Sequence, residues 1–381
     1  MTEVKLYDVS IIGGGVIGLS IARQMHKQGA KRITIVDKSI CGEESSWAAA
    51  GMLGPQAEAD EGGLFFDLTL ASRDLYPNFA AELEAETGID IELDRSGTLY
   101  LSFSDEDARV LRGRYEWQRK AGLPIELLTA DEARRAEPFV SPSVREALRF
   151  PGDWQVDNRK LLLALRRYAE NNGIQILENT AVRRLLVEKN CVVGVETDGE
   201  EIGAGMTVLA TGAWTSLIQL GHAEMPFRVE PVRGQIVAFQ TAKRLFKHVI
   251  YANRGYIVPR ADGRILAGST TEFVGFEKAT TRDVAVTLRE IASQIAPSIA
   301  SLEISGHWSG LRPFAADGLP VLGSIANMDG LTIATAHYRN GILLAPLTAK
   351  MIAERILNNV EHAAFTAFGP DRFRFATVSA R

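Results

Sequence analysis

The sequence has 381 residues and a formal net charge of −5 at pH 7, with 46% hydrophobic and 23% charged residues. This length exceeds what one hydrophobic core usually supports, so two domains, or one domain with a large insertion, are expected. Lys and Arg residues are scattered along the chain, which argues against nucleic-acid or anionic-membrane partners and favours a small-molecule substrate.

Cysteine usage and the N-terminal segment bear on the cellular setting. Cys41 and Cys191 are too few for a disulfide framework and lack the spacing of a metal site, so we expect a reducing, cytoplasmic location and no bound metal. Residues 1–5 lack the basic and apolar regions of a signal peptide. No apolar run approaches the roughly 20 residues needed to cross a bilayer, so a soluble protein is expected.

The chain begins with a predicted βαβ unit over residues 1–38. Residues 8–12 form a short apolar run that ends in glycines, and helical periodicity follows as far as Gly29. Residues 33–36 form a second β-branched run, as expected for a parallel partner strand.

The rest of the chain alternates between α/β and β-rich patterns. Residues 157–213 return to the α/β pattern, whereas residues 227–275 carry strand signals separated by turn residues, which predicts an antiparallel sheet. Residues 97–103 are expected to add a strand to that sheet. The elements expected after the first unit are helices at 160–171, 282–296 and 341–357, and strands at 174–177, 192–196, 206–210, 235–239, 255–259, 264–268 and 331–335.

A glycine fingerprint lies where the first predicted strand turns into the first helix. Gly13 permits the tight turn, Gly15 lets the backbone approach a pyrophosphate, and Gly18 allows the helix to pack closely on the strand. Asp37 follows about 20 residues later, at the end of the second strand, where a carboxylate can accept both ribose hydroxyls. The pattern predicts a dinucleotide site at the helix N-terminus; a glycine-rich turn that only packs helix on sheet is the alternative.

Three further segments favour FAD over NAD, although each has a simpler interpretation when taken alone. Residues 45–52 are small and suited to contact with a flat ring system, or else they only start an alanine-rich helix. Residues 208–214 form a strand that ends in a Thr-Gly turn, as ordinary strands also do. Residues 335–342 lead into a helix whose N-terminus can face the negative charge of a reduced flavin. Convergence of all three on one ligand favours FAD.

These segments resemble the D-amino-acid oxidase family of FAD-dependent oxidoreductases and, within it, the glycine oxidases. The resemblance runs in order along nearly the whole chain. It is carried by the motifs Gly13–Gly18, Ser46–Gly54, Gly255–Arg260, Gly310–Pro313 and His337–Pro346.

The resemblance implies an α/β fold of the D-amino-acid oxidase and glutathione-reductase-like type, with a Rossmann-type FAD-binding domain and an antiparallel-sheet substrate domain. Both domains are expected to be discontinuous, because α/β segments recur along the chain. The expected FAD-binding domain comprises residues 1–90, 150–225 and 305–365, and the substrate-binding domain comprises residues 91–149 and 226–304.

Non-covalently bound FAD is the implied cofactor. Its expected contacts combine the fingerprint and turn glycines with positions carried over from the family motifs. They are Gly13, Gly15, Val16, Ile17, Gly18, Asp37, Lys38, Ser45, Ser46, Ala50, Gly51, Met52, Val182, Gly212, His337, Tyr338, Arg339, Asn340, Gly341, Ile342 and Leu343.

The resemblance also assigns the substrate pocket. Arg312 would clamp the carboxylate of an amino-acid substrate, Tyr256 and Arg339 would complete the catalytic set, and Met52 and Arg254 would line the pocket. A guanidinium suits a carboxylate because it donates two parallel hydrogen bonds. From spacing alone, however, Arg312 could equally lie on the surface and Tyr256 could be a core aromatic.

Oxidative deamination is the reaction that the resemblance implies. A hydride passes from the substrate Cα to flavin N5, and the imine then gives glyoxylate or a keto acid, ammonia and H2O2, or supplies thiamine thiazole synthesis. Positioning contributes more than acid-base chemistry to such a transfer, so His337 is expected to be structural. A homo-oligomer is implied by the family alone.

Two positions depart from the glycine oxidase pattern and leave the substrate open among glycine, sarcosine and small D-amino acids. Arg254 stands where a histidine is expected, and Thr271 where a methionine is expected. A second cation near Arg312 would favour an acidic or larger substrate. Residues 53–65, with several acids beside Gly62 and Gly63, are expected to form a mobile, solvated cover.

Three other functions remain compatible with the sequence. A sarcosine oxidase would carry its flavin on a cysteine, and neither cysteine lies in the C-terminal flavin segment. A D-amino-acid dehydrogenase would pass electrons to a quinone or a carrier protein. A non-catalytic flavoprotein or an NAD-binding regulatory module would share the glycine fingerprint without the chemistry.

Overall fold

A computed structural model describes residues 6–223 and 225–373; the prediction made for residues 1–5 lies outside this part of the chain. The strands are β1 (Leu6–Ile12), β2 (Ile33–Val36), β3 (Met52–Leu53), β4 (Thr98–Ser102), β5 (Glu126–Thr129), β6 (Glu146–Phe150), β7 (Trp154–Gln155), β8 (Gln175–Leu177), β9 (Val182–Glu188), β10 (Cys191–Thr197), β11 (Glu201–Leu209), β12 (Gln219–Leu220), β13 (Val229–Gln240), β14 (Val249–Ala252), β15 (Gly255–Pro259), β16 (Arg264–Gly268), β17 (Ile304–Ala315), β18 (Val321–Gly323) and β19 (Leu331–Thr335). The helices are α1 (Val16–Lys27), α2 (Ser45–Ala48), α3 (Leu64–Thr87), α4 (Asp105–Lys120), α5 (Ala130–Ala136), α6 (Asn158–Asn171), α7 (Arg282–Ile295), α8 (Gly341–Asn358) and α9 (Ala363–Ala367), with 3-10 turns at Gly212–Leu217, Pro297–Ser301 and Pro370–Phe373.

The first large sheet is built on parallel strands in the order β8-β2-β1-β11-β19. Its central strands are apolar on both faces, because α1, α3, α6 and α8 cover one face and residues from β9, β10 and the 218–229 segment cover the other. Ile11, Ile35 and Val208 are accordingly fully buried. The predicted βαβ unit, the helix at α6 and the closing strand and helix at β19 and α8 are confirmed.

The second large sheet has the order β17-β13-β16-β15-β14-β4-β6-β5. Its strand pairs are antiparallel, as predicted, except that β4 joins β14 in parallel. Helices α5 and α7 pack on one face of this sheet. The other face carries Ile236, Tyr251 and Tyr256, packed with Ala50 and Ala57 from the segment that follows α2.

Several long elements were not predicted from the sequence. Helix α3 buries Thr69 and Ser72 along with its apolar residues, and it contains Pro77, so its hydrophobic period is blurred. Strand β17 pairs with β13 from Val229 to Phe239, so the expected domain boundary at residue 305 falls at the start of a strand in the second sheet. No helix in the described part of the chain is long and apolar enough to cross a membrane.

Candidate active site

A cavity that is partly open to solvent lies between the two large sheets. It is lined by the turn after β1, the end of β2, the α2 segment, the start of β9, the strands β13, β15 and β17, and the loop between β19 and α8. Most of the predicted nucleotide residues, and the predicted substrate residues Met52, Tyr256, Arg312 and Arg339, therefore open into the same space.

The glycine turn leaves backbone facing this cavity. Gly13 has a positive φ of 106° that only glycine adopts without strain, and Gly13 and Gly15 line the cavity. A Cβ on Gly18 would lie 1.9 Å from the carbonyl oxygen of Gly13, so a side chain there would push the turn away from the helix. Gly18 itself lies behind the turn and packs α1 on β1, as expected from the fingerprint.

Asp37 and Lys38 lie at the end of β2 and line the cavity. The Asp37 carboxylate accepts hydrogen bonds from the backbone N–H of Gly14, at 2.7 Å, and of Ser39, at 2.8 Å, which ties it to the glycine turn. Burial raises the pKa of Asp37, against the lowering effect of these hydrogen bonds. The Lys38 ammonium lies 4.1 Å from the ring centre of Trp214, which also lines the cavity.

A buried arginine fixes the small-residue segment after α2. Arg260 donates through Nη2 to the carbonyl oxygen of Ala50, at 2.9 Å, and through Nη1 to that of Val156, at 2.7 Å. Gly51 has a positive φ of 69°, and a Cβ there would lie 2.1 Å from the Val156 oxygen. Arg260 was not among the predicted site residues, although it ends one of the motifs that carry the family resemblance.

The loop between β19 and α8 is held in an unusual backbone conformation. Ala336 and Tyr338 both have positive φ, at 57° and 46°, which costs of order 1 kcal/mol or more for each non-glycine residue. The Tyr338 N–H donates to the carbonyl oxygen of Pro313 at 3.1 Å. This conformation turns the N-terminus of α8, with its partial positive charge, towards the cavity.

His337 and Leu343 play structural parts in this loop. Burial lowers the pKa of His337 to about 3, and its Nε2 lies 3.1 Å from Oγ1 of Thr348, so the ring is neutral and points into the protein. Leu343 is buried in the core and does not line the cavity, unlike Ile342 before it.

Arg312 lies on β17 with its guanidinium folded across Gly234 of the neighbouring strand β13. Its Nη1 donates to the carbonyl oxygen of Thr270 at 3.0 Å, and its Nη2 donates to Oγ of Ser269 at 2.8 Å. Burial lowers its pKa. None of the salt bridges among residues 6–223 and 225–373 includes Arg312, so a partly buried positive charge faces the cavity without an anionic partner.

Tyr256, Met52 and Arg339 lie around the same end of the cavity. Tyr256 is buried, and its ring centre lies 5.6 Å from that of Tyr251. The Tyr251 hydroxyl contacts Sδ of Met52 at 3.1 Å. Arg339 lies nearer the solvent, with 39% of its side chain exposed.

Glu58 is a cavity residue that was not predicted to contact substrate. Its carboxylate lies 3.3 Å from Nη2 of Arg339 and accepts a hydrogen bond of 2.8 Å from the Tyr251 hydroxyl. The segment expected to be a solvated cover is therefore divided: residues 53–57 are buried and residues 60–64 are exposed. In the sequence, Glu58 was marked only as an acidic residue shortly after the Ser46–Gly54 motif.

Arg254 and Thr271 do not line the cavity. Arg254 is exposed in the turn between β14 and β15, and Thr271 is exposed beyond the end of β16. The structure thus does not bring Arg254 to the cavity, and the other arginine near its substrate end is Arg339.

These features fit FAD. The N-termini of α1 and α8 both reach the cavity, and the glycine positions leave a cradle that side chains would fill. Gly13, Gly15, Val16, Asp37, Lys38, Ser46, Gly51, Val182 and Gly212 line the cavity, and so do the residues from His337 to Ile342.

Comparison with known proteins agrees with this assignment. A model of the family described as FAD dependent oxidoreductase matches residues 8–355. A glycine oxidase from Geobacillus kaustophilus is 36% identical over 353 residues, which cover 92% of this chain and 93% of that protein. The crystal structure of glycine oxidase from Geobacillus kaustophilus superposes with a TM-score of 0.91 at 35% identity, covering 97% of this chain and 99% of that one.

A longer relative is also similar. The bifunctional protein ThiO/ThiG of Synechocystis sp. is 35% identical over 376 residues, which cover 97% of this chain and 54% of that protein.

Proposed function

The chain belongs to the FAD dependent oxidoreductase family and is an FAD-dependent amine oxidase, and on this premise we propose that its substrate is glycine or a related small amine or D-amino acid with one carboxylate. The observation that carries the proposal is the Arg312 guanidinium, which is partly buried and lines the cavity without an anionic partner among the described residues. A buried cation without a partner is costly unless a ligand supplies the anion.

Arg312 binds the substrate carboxylate through two parallel charge-assisted hydrogen bonds. Ser269 and Thr270 hold the guanidinium by accepting from its two terminal nitrogens, so its plane is set before substrate arrives. Tyr256 and Met52 line the same end and limit both the volume and the water around the substrate. Fixing the carboxylate limits the positions that the substrate Cα can take in the cavity.

FAD, when bound, accepts the hydride from the substrate Cα. The chain needs no general base for this step if the amine enters neutral, and neutral His337 is turned towards Thr348. Overall, the amine, water and O2 give an oxo acid, ammonia and H2O2. We further propose that the imine product supplies thiamine thiazole synthesis, which similarity to the protein named ThiO/ThiG supports.

Non-covalent attachment of FAD belongs to the same proposal, and it disfavours the covalent type of sarcosine oxidase. Cys41 is buried against Gly14, and burial raises the pKa of its thiol to about 12. Cys191 lies on β10, and neither cysteine lines the cavity. We therefore expect acid precipitation to release the flavin into the supernatant.

Three further assignments are proposed with the function. The two large sheets support division into an FAD-binding domain and a substrate domain, each made of separated segments. A cytoplasmic location is supported by the sparse cysteines. A homo-oligomeric state is proposed from the family resemblance.

Replacement of Arg312 tests the substrate assignment. Arg312→Ala should retain FAD but lower kcat/KM for glycine by about 100-fold or more, mainly through KM, because a buried charge-paired contact is worth about 2–5 kcal/mol. Arg312→Lys keeps the charge but lacks the planar fork, so it should recover only part of the loss. Peroxide release in air gives the rates. An unchanged KM in Arg312→Ala would remove Arg312 from the substrate site.

A further inference from the structure

The two arginines at the substrate end of the cavity differ in their charge balance. Arg312 donates only to neutral oxygens, on Ser269 and Thr270. Arg339 is paired with Glu58, whose carboxylate raises the pKa of Arg339. Two guanidinium groups lie at the substrate end of the cavity, and the side chains of the described residues leave that of Arg312 free for an anion.

Glu58 is held in place from several sides. Tyr251 donates its hydroxyl hydrogen to Oε1 of Glu58 at 2.8 Å, and only 22% of the Glu58 side chain is exposed. The two residues before it are pinned by Asp153, which accepts from the backbone N–H of Gln56 at 3.1 Å and of Ala57 at 2.7 Å. Glu58 is therefore a fixed part of the cavity wall and not a mobile surface acid.

This arrangement bears on which anions the site accepts. A substrate with one carboxylate pairs with Arg312 and leaves the Glu58–Arg339 pair intact. A second carboxylate on the substrate would meet Glu58 and would have to displace it to reach Arg339. At the half-exposed position of Arg339, repulsion between two carboxylates a few ångströms apart is large enough to decide selectivity.

We propose that Glu58 is a specificity-determining residue, which occupies Arg339 and so makes the site selective for monocarboxylates over dicarboxylates. This inference rests on the proposed function, because it takes Arg312 as the carboxylate clamp. It adds that a side chain of the protein itself, the Glu58 carboxylate, sets the net charge at the substrate end of the cavity.

Glu58→Gln tests the inference, because glutamine keeps the shape of the side chain and can still accept a hydrogen bond from Tyr251. Binding is measured by the change that a ligand causes in the visible flavin spectrum of the holoenzyme, with acetate as the monocarboxylate and malonate and succinate as dicarboxylates. In Glu58→Gln, the ratio of dicarboxylate Kd to acetate Kd should fall at least about tenfold, which corresponds to about 1.4 kcal/mol.

Two further variants check the mechanism. Arg339→Gln leaves Glu58 without its partner, so the same ratio should rise, whereas the double variant Glu58→Gln/Arg339→Gln should lie close to the wild type. The matched control is Glu126→Gln. Glu126 pairs with Arg149 at 3.2 Å on the edge strand β5, outside the cavity, so its loss changes net charge equally and should leave the ratio unchanged.

An unchanged ratio in Glu58→Gln, or the same shift in Glu126→Gln, overturns the inference. Failure of the proposed function looks different: acetate would then bind as well to Arg312→Ala as to the wild type. If acetate binding requires Arg312 but the ratio is the same in all Glu58 and Arg339 variants, only the role of Glu58 is refuted.

Discussion

Gly234 is expected to be essential for the position of Arg312, although Gly234 itself carries no chemistry. A Cβ on Gly234 would lie 2.2 Å from Nη2, 2.3 Å from Nη1 and 2.4 Å from Cζ of Arg312, whereas ordinary van der Waals contact begins near 3.4 Å. In Gly234→Ala the guanidinium must therefore move by about 1 Å. It would then lose its alignment with Ser269 and Thr270.

The expected loss of activity in Gly234→Ala follows from the displacement of the Arg312 guanidinium. A misplacement of about 1 Å in a positioning group can cost about 100-fold in rate, so kcat/KM for glycine should fall by about that factor. Gly234 lies on β13 with a φ outside the positive range, so alanine causes no backbone strain and the protein should fold with FAD bound. Peroxide production at varied glycine concentrations, with flavin content measured from absorbance, is the assay.

Gly113→Ala is the matched control. Gly113 lies within α4, and a Cβ there would have no neighbour within 4 Å. Alanine should stabilise the helix by about 1 kcal/mol and leave kcat/KM unchanged. Wild-type kcat/KM in Gly234→Ala would contradict this prediction, because it would mean that the guanidinium does not need to lie over Gly234.

Two other predictions concern the cofactor and pH. Gly18→Ala should yield protein that is largely free of FAD, because its Cβ would lie 1.9 Å from the Gly13 oxygen; a full flavin complement by absorbance would contradict this. Burial raises the pKa of Asp153 from 3.8 to about 7, so the native state keeps a proton that the unfolded chain loses. The contribution of Asp153 to stability should be fully present below about pH 4 and be lost as pH rises towards 7. The test measures the unfolding free energies of Asp153→Asn and the wild type by urea denaturation from pH 4 to 8. The difference between the two free energies should change over this range. A difference that stays constant with pH would show that Asp153 is ionised throughout.

Local signals explain which parts of the fold could be predicted. The β1–α1–β2 unit and the position of Asp37 are set by residues that are close together in sequence. Such residues produce a clear hydrophobic pattern, from which the unit could be predicted. Helix α3 showed no clear hydrophobic pattern, because polar residues occur on its buried side. One of them, Ser72, donates to the carbonyl oxygen of Leu343 at 2.7 Å, a contact between residues far apart in sequence.

The charge arrangement of the site could not be predicted either, because it also depends on contacts between residues far apart in sequence. Contacts from Asp153 and Tyr251 hold Glu58 in position, and Arg339 is its ion-pair partner. All three residues lie far from Glu58 in the sequence. Arg254 is next to the Tyr256 strand in sequence, but the tight β14–β15 turn leaves it exposed. Composition and motif spacing contain no information on such long-range contacts.

Anaerobic reduction of the bound flavin shows whether a small amine is the electron donor and whether Arg312 binds it. The holoenzyme is titrated with glycine, sarcosine and D-alanine, and with succinate as a ligand that lacks an amine, while the visible absorbance is followed. We expect that at least one of the three amines bleaches the wild-type flavin, that succinate does not, and that Arg312→Ala requires about 100-fold more amine. A flavin that none of these amines bleaches, or that bleaches equally readily in Arg312→Ala, would contradict this expectation.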